Sequence, residues 1–348
     1  MKQLRTIVVG LGRIGWPFHV PEVAAHDGFD LVGVVDPLPE RRKEALERFD
    51  APGFPDLASS LEDASPDLVV IPSPTPFHAE QAIASMEAGC DVFCDKPMAA
   101  SLAEADQMVE AARRHKRKLM LYQPTRGLPD VLVLRRILDT GLIGPVYMIK
   151  NARTSYTRRN DWQALQQHGG GMLNNYGAHF IDVCLYVAAS QATRVTCRLN
   201  TIASSGDADD VVKVLIETAS GVLIDIDINM AAAHPIEPRW HVLGKHGSLI
   251  YQEGGWHARY FDPDALPGLD LSQAETLAAD ERRYGSGETI PWQEKVFAAD
   301  EDKLNYYDYC HAYFAGDEEP FVSLDESREL MRVLDECRRD AASTSASG

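Results

Sequence analysis

Over the first third of the chain, short β-branched apolar runs alternate with stretches whose apolar residues recur at helical spacing. "RTIVVG", "LVGVVD", "DLVVIP", "DVFC" and "KLMLY" are separated by segments such as "PERRKEALERF" and "SLAEADQMVEAARRH". That alternation predicts parallel strands joined by helical crossovers, hence a doubly wound α/β sheet. After Tyr122 the rhythm changes. The helix "VLVLRRILDTGLIG" leads to "PVYMIKNARTSY" and then, past "HGGG", to a long apolar-striped helix ending near Ala189. Next, Val212, Val214 and Ile216, then Val222, Ile224, Ile226 and Ile228, alternate with polar or smaller residues about a Ser220-Gly221 turn. Period two with one apolar face predicts a hairpin of an antiparallel sheet buried on one side. The boundary therefore falls near 122 to 126, giving a first domain over 1–124 and an α+β domain over 125–340. The polar stretch "DLSQAETLAADERRYGSGETIPWQEK" reads as a surface loop, "SLDESRELMRVLDECRRD" as a last amphipathic helix, and "AASTSASG" (341–348) as a disordered tail.

The 348 residues exceed what one core usually serves, and 45% apolar content suffices for two. With 52 acidic against 34 basic residues the formal charge is −18, which repels phosphate backbones and anionic lipid surfaces, so no nucleic-acid or membrane partner is expected. No apolar run is long enough to span a bilayer, and "MKQLRTIVVG" runs into a strand without the apolar core of a signal peptide, so a cytoplasmic location is expected. The six cysteines match neither a zinc knuckle nor a redox C-x-x-C and read as reduced core residues; the eleven histidines show no ligand spacing, so no metal site is expected.

Gly10-x-Gly12-x-x-Gly15 closes the first strand, and Asp36 ends the second about 20 residues on, the context a dinucleotide site requires. The first glycine makes the turn, the second lets a pyrophosphate approach the backbone, and the third lets helix and strand pack closely. Pro17 and Pro21 fall where the first helix should run and predict that it is irregular. Asp36 is placed to accept from ribose hydroxyls and to repel a 2′-phosphate, favouring NAD over NADP. Arg41 and Arg42 lie close enough to blur that reading, although their segment reads equally well as a solvated helix.

The fourth strand ends in "CDKPMA", which places Lys96 at the carboxyl edge of the sheet, and "IPSPTPFHAEQ" leaves the third strand through three prolines at the same edge. Together these residues resemble the glucose-fructose oxidoreductase/inositol dehydrogenase (Gfo/Idh/MocA) family, whose members carry E-K-P after the fourth strand and a T-P-N-x-x-H-like loop after the third. The resemblance covers nearly the whole chain. It implies an N-terminal Rossmann domain followed by an α+β domain with an open-faced, largely antiparallel sheet, the substrate between them, and a homodimer or homotetramer assembled through that sheet.

The family's G-G-G-x-x-x-D-x-G-x-H-x-x-D pattern corresponds here to Gly169–Asp182, with Asn175 at its first Asp, His179 at its His and Asp182 at its last Asp. On a helix, Asn175 and His179 share a face. The resemblance implies that Lys96, His179 and Asn175 form the catalytic centre, and that Arg13, Ile14, Ser73, Pro74, Thr75, His78, Asp95, Lys96 and Trp162 join Gly10, Gly12, Gly15 and Asp36 in holding the cofactor. Tyr122, Arg126, Arg158, Arg159 and Trp162 are rim candidates, each equally readable as structural; the first three would touch substrate together with Lys96, Asn175 and His179. Four departures bear on the substrate: Asp95 for Glu, Thr75 for Asn, Asn175 for Asp, and Gln163 where members often carry Arg. The resulting expectation is an NAD-dependent oxidoreductase acting on a secondary alcohol of a sugar, cyclitol or related polyol. The alternatives are an enzyme that cycles a tightly held NAD internally, as an epimerase, lyase or glycoside hydrolase, and a non-catalytic NAD(H) sensor.

Overall fold

Six short strands, β1 (Leu4–Val9), β2 (Phe29–Val35), β3 (Gly53–Phe54), β4 (Leu68–Ile71), β5 (Asp91–Cys94) and β6 (Leu119–Leu121), pair in parallel in the order β3-β2-β1-β4-β5-β6. Ile7, Val8, Leu68, Val69 and Val92 are fully buried because helices cover both faces. The crossover helices are α1 (Val20–Ala25), α2 (Pro39–Phe49), α3 (Leu57–Ala64), α4 (His78–Glu87) and α5 (Leu102–His115). The computed structural model describes residues 3–266, 268, 289–299 and 304–345.

The irregularity expected from Pro17 and Pro21 takes a definite form. Residues Gly15–His19 make a π turn, closed by a bond from the Val20 N–H to the Gly15 carbonyl, and α1 begins only after it with Pro21 in its first turn. Pro21 has no N–H to give to the Pro17 carbonyl, and the wider turn removes the need for that bond.

After α6 (Pro129–Asp139) the chain enters an eight-stranded sheet. Its strands are β7 (Val146–Thr154), β8 (Ala192–Asn200), β9 (Val211–Thr218), β10 (Leu223–Asn229), β11 (Trp240–Gly244), β12 (Gly247–Gln252), β13 (Gly255–Tyr260) and β14 (Gln293–Ala298), ordered β14-β13-β12-β11-β7-β10-β9-β8. Only the β7–β10 pair is parallel. The alternation read between Val212 and Ile228 is the β9–β10 hairpin, with Ile224 opposite Ile216 and Ile226 opposite Val214, all fully buried. Helix α7 (Ala178–Ala188) packs on this inner face and carries the site residues described below.

Three expectations need correction. The chain's last part is divided between the two sheets: α8 (Tyr306–Ala315) returns to the first, while the final helix packs on β8 of the second. Tyr306 Oη donates to the Leu121 carbonyl (3.1 Å), Tyr307 Oη meets His19 Nδ1 (2.7 Å), and Lys118 Nζ donates to the Tyr313 carbonyl (2.6 Å). The last helix, α9 (Leu324–Ser345), continues through the beginning of the segment read as a disordered tail, because its apolar stripe extends to buried Ala341. The stretch read as a surface loop lies largely outside the described residues, and its end, Gln293–Lys295, enters edge strand β14 by pairing with β13. All six cysteines are buried and none forms a disulfide. Among the described residues no helix is long and apolar enough to cross a membrane.

Candidate active site

The carboxyl ends of the parallel strands open into a cleft of about 1710 Å3. Its nucleotide-side wall consists of Gly10–Ile14 after β1, Asp36 after β2, Ser73–Thr75 after β4, Asp95 and Lys96 after β5, and Tyr122 after β6. The second domain closes it with Arg159, Trp162, Gln163, Gly169–Gly171, Asn174, Asn175 and His179. This is the crevice where open α/β sheets bind ligands.

The glycine turn fits a pyrophosphate. Gly10 has φ +105°, and a Cβ there would stand 2.9 Å from Ser73 Cα, so the loop demands glycine. A Cβ on Gly15 would lie 1.8 Å from the Gly10 carbonyl oxygen; Gly15 does not line the cleft but lets the following turn pack against the strand. Beside Gly12 the space is open for 4 Å, leaving the backbone accessible at the start of the turn. Asp36 is buried, its carboxylate accepting from the Leu11 N–H (2.9 Å), the Leu38 N–H (3.0 Å) and Arg41 Nη1 (3.1 Å). Arg42 instead folds onto the Asp36 and Pro37 carbonyls (2.7 and 3.0 Å).

Of the residues expected to hold a cofactor, His78, like Gly15, does not line the cleft, because it is buried behind the wall. Its Nε2 lies 2.7 Å from the Ser73 carbonyl and its Nδ1 2.9 Å from the Pro97 carbonyl, fastening the loop after β4 to the loop that carries Lys96. Burial holds its pKa down, while the Ser73 carbonyl and Asp95 oppose that. Asp95 is also buried, which raises its carboxyl pKa against the pull of Lys96.

Lys96 and His179 approach from opposite domains. Lys96 Nζ donates to the Asn175 carbonyl (3.0 Å) and to Asn175 Oδ1 (3.3 Å). Asn175 sits in a second π turn, Leu173–Gly177, and His179 in the first turn of α7, so the two line one cleft although the helix between them is not regular. His179 Nδ1 is buried without a partner. Its Nε2 makes no bond among the described residues and is not enclosed, so it is the nitrogen open to the cleft. Burial, and secondly the Lys96 charge, push the His179 pKa well below 6.5; burial also lowers that of Lys96, with Asp95 opposing.

Two rim candidates fall elsewhere. Arg126 is buried, with Nε and Nη2 on the two Asp182 oxygens (2.8 and 2.7 Å) and Nη1 on Glu326 (2.8 Å). This buried ion pair joins the start of the second domain to α7 and α9, so both Arg126 and Asp182 serve the frame. Arg158 is exposed outside the cleft; its neighbour Arg159 lines it instead. Two residues that the pattern did not single out also act here. Asn174 gives its amide protons to the Gly169 and Gly170 carbonyls (3.0 and 3.1 Å), and Asp161 pairs with Arg13 across the cleft mouth (2.9 Å) and with Arg159 (3.1 Å).

Residues 4–123 match the oxidoreductase family with an NAD-binding Rossmann fold, and residues 131–250 match the Gfo/Idh/MocA C-terminal domain. The chain belongs to the Gfo/Idh/MocA family. Its first domain is therefore an NAD-binding Rossmann domain. Over 195 residues, 55% of this chain, it is 27% identical to D-glucoside 3-dehydrogenase of Escherichia coli, spanning 56% of that relative's length. Over 257 residues it is 28% identical to scyllo-inositol 2-dehydrogenase (NAD(+)) of Bacillus subtilis, covering 71% of this chain and 73% of the relative. The crystal structure of an NAD-binding protein from Listeria innocua superposes with a TM-score of 0.83 at 23% identity, covering 99% of this chain and 96% of that one. That likeness establishes the shared fold.

Proposed function

We propose that the chain is an NAD-dependent dehydrogenase that oxidises a secondary alcohol of a sugar, cyclitol or related polyol. The observation that carries the reading is the meeting of Lys96 from the nucleotide domain with Asn175 and His179 from the second domain in one cleft. The nicotinamide ring, when bound, supplies the hydride acceptor. His179 takes the hydroxyl proton at Nε2, since depression of its pKa keeps the imidazole neutral and proton-accepting at neutral pH. Lys96 stabilises the oxygen as negative charge develops on it. Asn175 holds Lys96 through two oxygens and orients the substrate. Incubating purified protein with NAD and a panel of sugars, cyclitols and polyols tests this by NADH absorbance. Failure of every substrate, with NAD copurifying, would favour internal cycling of the cofactor.

Asp36 supports NAD over NADP, because the charge of Arg41 is already paired with it and a 2′-phosphate would face a buried carboxylate. Asp36→Ala releases Arg41, so the ratio of NAD to NADP affinity should fall by about tenfold or more, equivalent to about 1.4 kcal/mol. An unchanged ratio by fluorescence titration would remove Asp36 from that role.

The outer face of the second sheet supports a homodimer or homotetramer. Leu243, Met148 and Leu223 stand side by side across three strands, half-buried and, among the described residues, without a helix packed on them, and Ile250 and Leu215 flank them. Lys213 on the same face is paired with Asp225 and Asp227, which reduces the cost of covering it. Sedimentation at micromolar concentration should show an assembly, and Leu243→Glu should dissociate it. The same reading places the protein in the cytoplasm, where six unpaired cysteines persist in reduced form.

A further inference from the structure

The second-domain wall of the cleft has a one-sided hydrogen-bonding character. Three of its side chains carry amide oxygens, and each oxygen is already engaged: that of Gln163 by Arg159, that of Asn174 by Arg338 (2.6 Å), and that of Asn175 by Lys96 (3.3 Å). The Asn175 amide cannot be turned round, because an ammonium only donates and must face the oxygen. Its Nδ2 is thereby left as a donor with no partner among the described residues. Arg159 uses Nη1 for Asp161 and Gln163, and its Nε and Nη2 make no hydrogen bond among the described residues. The carboxylates that line the cleft, Asp36, Asp56, Glu80 and Asp95, all belong to the nucleotide domain. Arg13, Arg159 and Asp161 together still leave one positive charge at the mouth.

A neutral polyol uses this wall less fully than an anion would. The amide oxygens each have one lone pair taken, whereas Asn175 Nδ2 and the Arg159 edge are donors with nothing engaged, and a neutral hydroxyl brings no charge to meet the guanidinium. A carboxylate only accepts, and it brings the charge that an unengaged guanidinium edge lacks. We propose that the natural substrate is a sugar- or polyol-derived acid whose carboxylate is bound by Asn175 Nδ2 and the free edge of Arg159 while its carbinol faces Lys96 and His179. This rests on reading the cleft as an alcohol-oxidising site, and it assigns Asn175 a specificity role that an aspartate at the same position could not fill.

The test uses matched pairs: glucose and glucuronate, galactose and galacturonate, glucitol and gluconate. Each is assayed twice, as substrate with NAD and as ligand titrated into the NADH-loaded protein with nicotinamide fluorescence as readout. The best acid should exceed the best neutral compound by about tenfold or more in affinity, and in kcat/KM if both react. Asn175→Asp, which exchanges one amide nitrogen for oxygen, should bring that ratio to one or below while Tm stays near that of the parent, and Arg159→Gln should lower it severalfold. Acids that bind tighter without being oxidised would leave the inference standing and overturn the reaction assigned above. Neutral compounds oxidised as well as acids would do the reverse. Acids that bind no tighter than their neutral partners, or a ratio indifferent to Asn175→Asp, overturn the inference whatever the activity.

Discussion

Replacing His179 with alanine should lower turnover by about a hundredfold or more while NAD affinity stays within about twofold, because a general base acts in the transition state and the pyrophosphate is held elsewhere. The pH dependence gives the sharper check. The active form is the neutral imidazole, so the rate rises as the imidazolium loses its proton. Burial, and then the Lys96 charge, place that ionisation well below 6.5, since the charged ring would lie in a poorly solvated site beside a second cation. The acid limb of kcat/KM should therefore lie below the range of free histidine, with a plateau already reached at neutral pH. In the alanine variant that limb disappears along with the rate. A limb at 6.5 or above in the parent enzyme would show that some other group takes the proton, as would a His179 variant of undiminished activity.

What could be read along the chain follows the range of the interactions involved. The β9–β10 hairpin was legible because its determinants are local: an alternating apolar face and a Ser220-Gly221 turn. The same holds for the glycine turn and for the break in the first helix, where two prolines four residues apart leave few ways to close the hydrogen bonds. The return of α8 to the first sheet was not legible. Its buried tyrosines would suit any apolar surface, and only the fold brings Tyr307 to His19 and Tyr306 to Leu121.

Arg126 shows the same limit at the site. From sequence it is a cation near a motif and suits a substrate-facing role. In the fold, Asp182 on α7 and Glu326 on α9 take three of its donor atoms. Conversely, Asn174 gave no signal apart from its neighbour Asn175, yet it ties Gly169 and Gly170 to Arg338 of the last helix. The polar residues that shape the glycine loop were thus in view, but how Asn174 and Asn175 are set in the cleft depends on the π turn at Leu173–Gly177, which shifts the helical register that spacing assumes.

Lys96→Met should reduce turnover by about two to three orders of magnitude, the range typical of losing one donor to a developing oxyanion. Methionine keeps the length and much of the packing of the half-buried stem, so the loss can be assigned to the ammonium rather than to a cavity. Two displacements of the pH profile should accompany it. Burial lowers the Lys96 pKa, with Asp95 opposing, so the parent enzyme should lose activity on the alkaline side at a pH below 10.5; without the ammonium that limb vanishes. Lys96 is also the second cause of the depressed His179 pKa, so the acid limb of the residual activity should move upward toward 6.5. Loss of rate with both limbs unmoved would mean that Lys96 acts by holding Asn175 in place through its carbonyl and Oδ1. In that case a small primary amine added to the truncated Lys96→Ala variant would restore nothing, whereas a catalytic ammonium should be partly replaced by it.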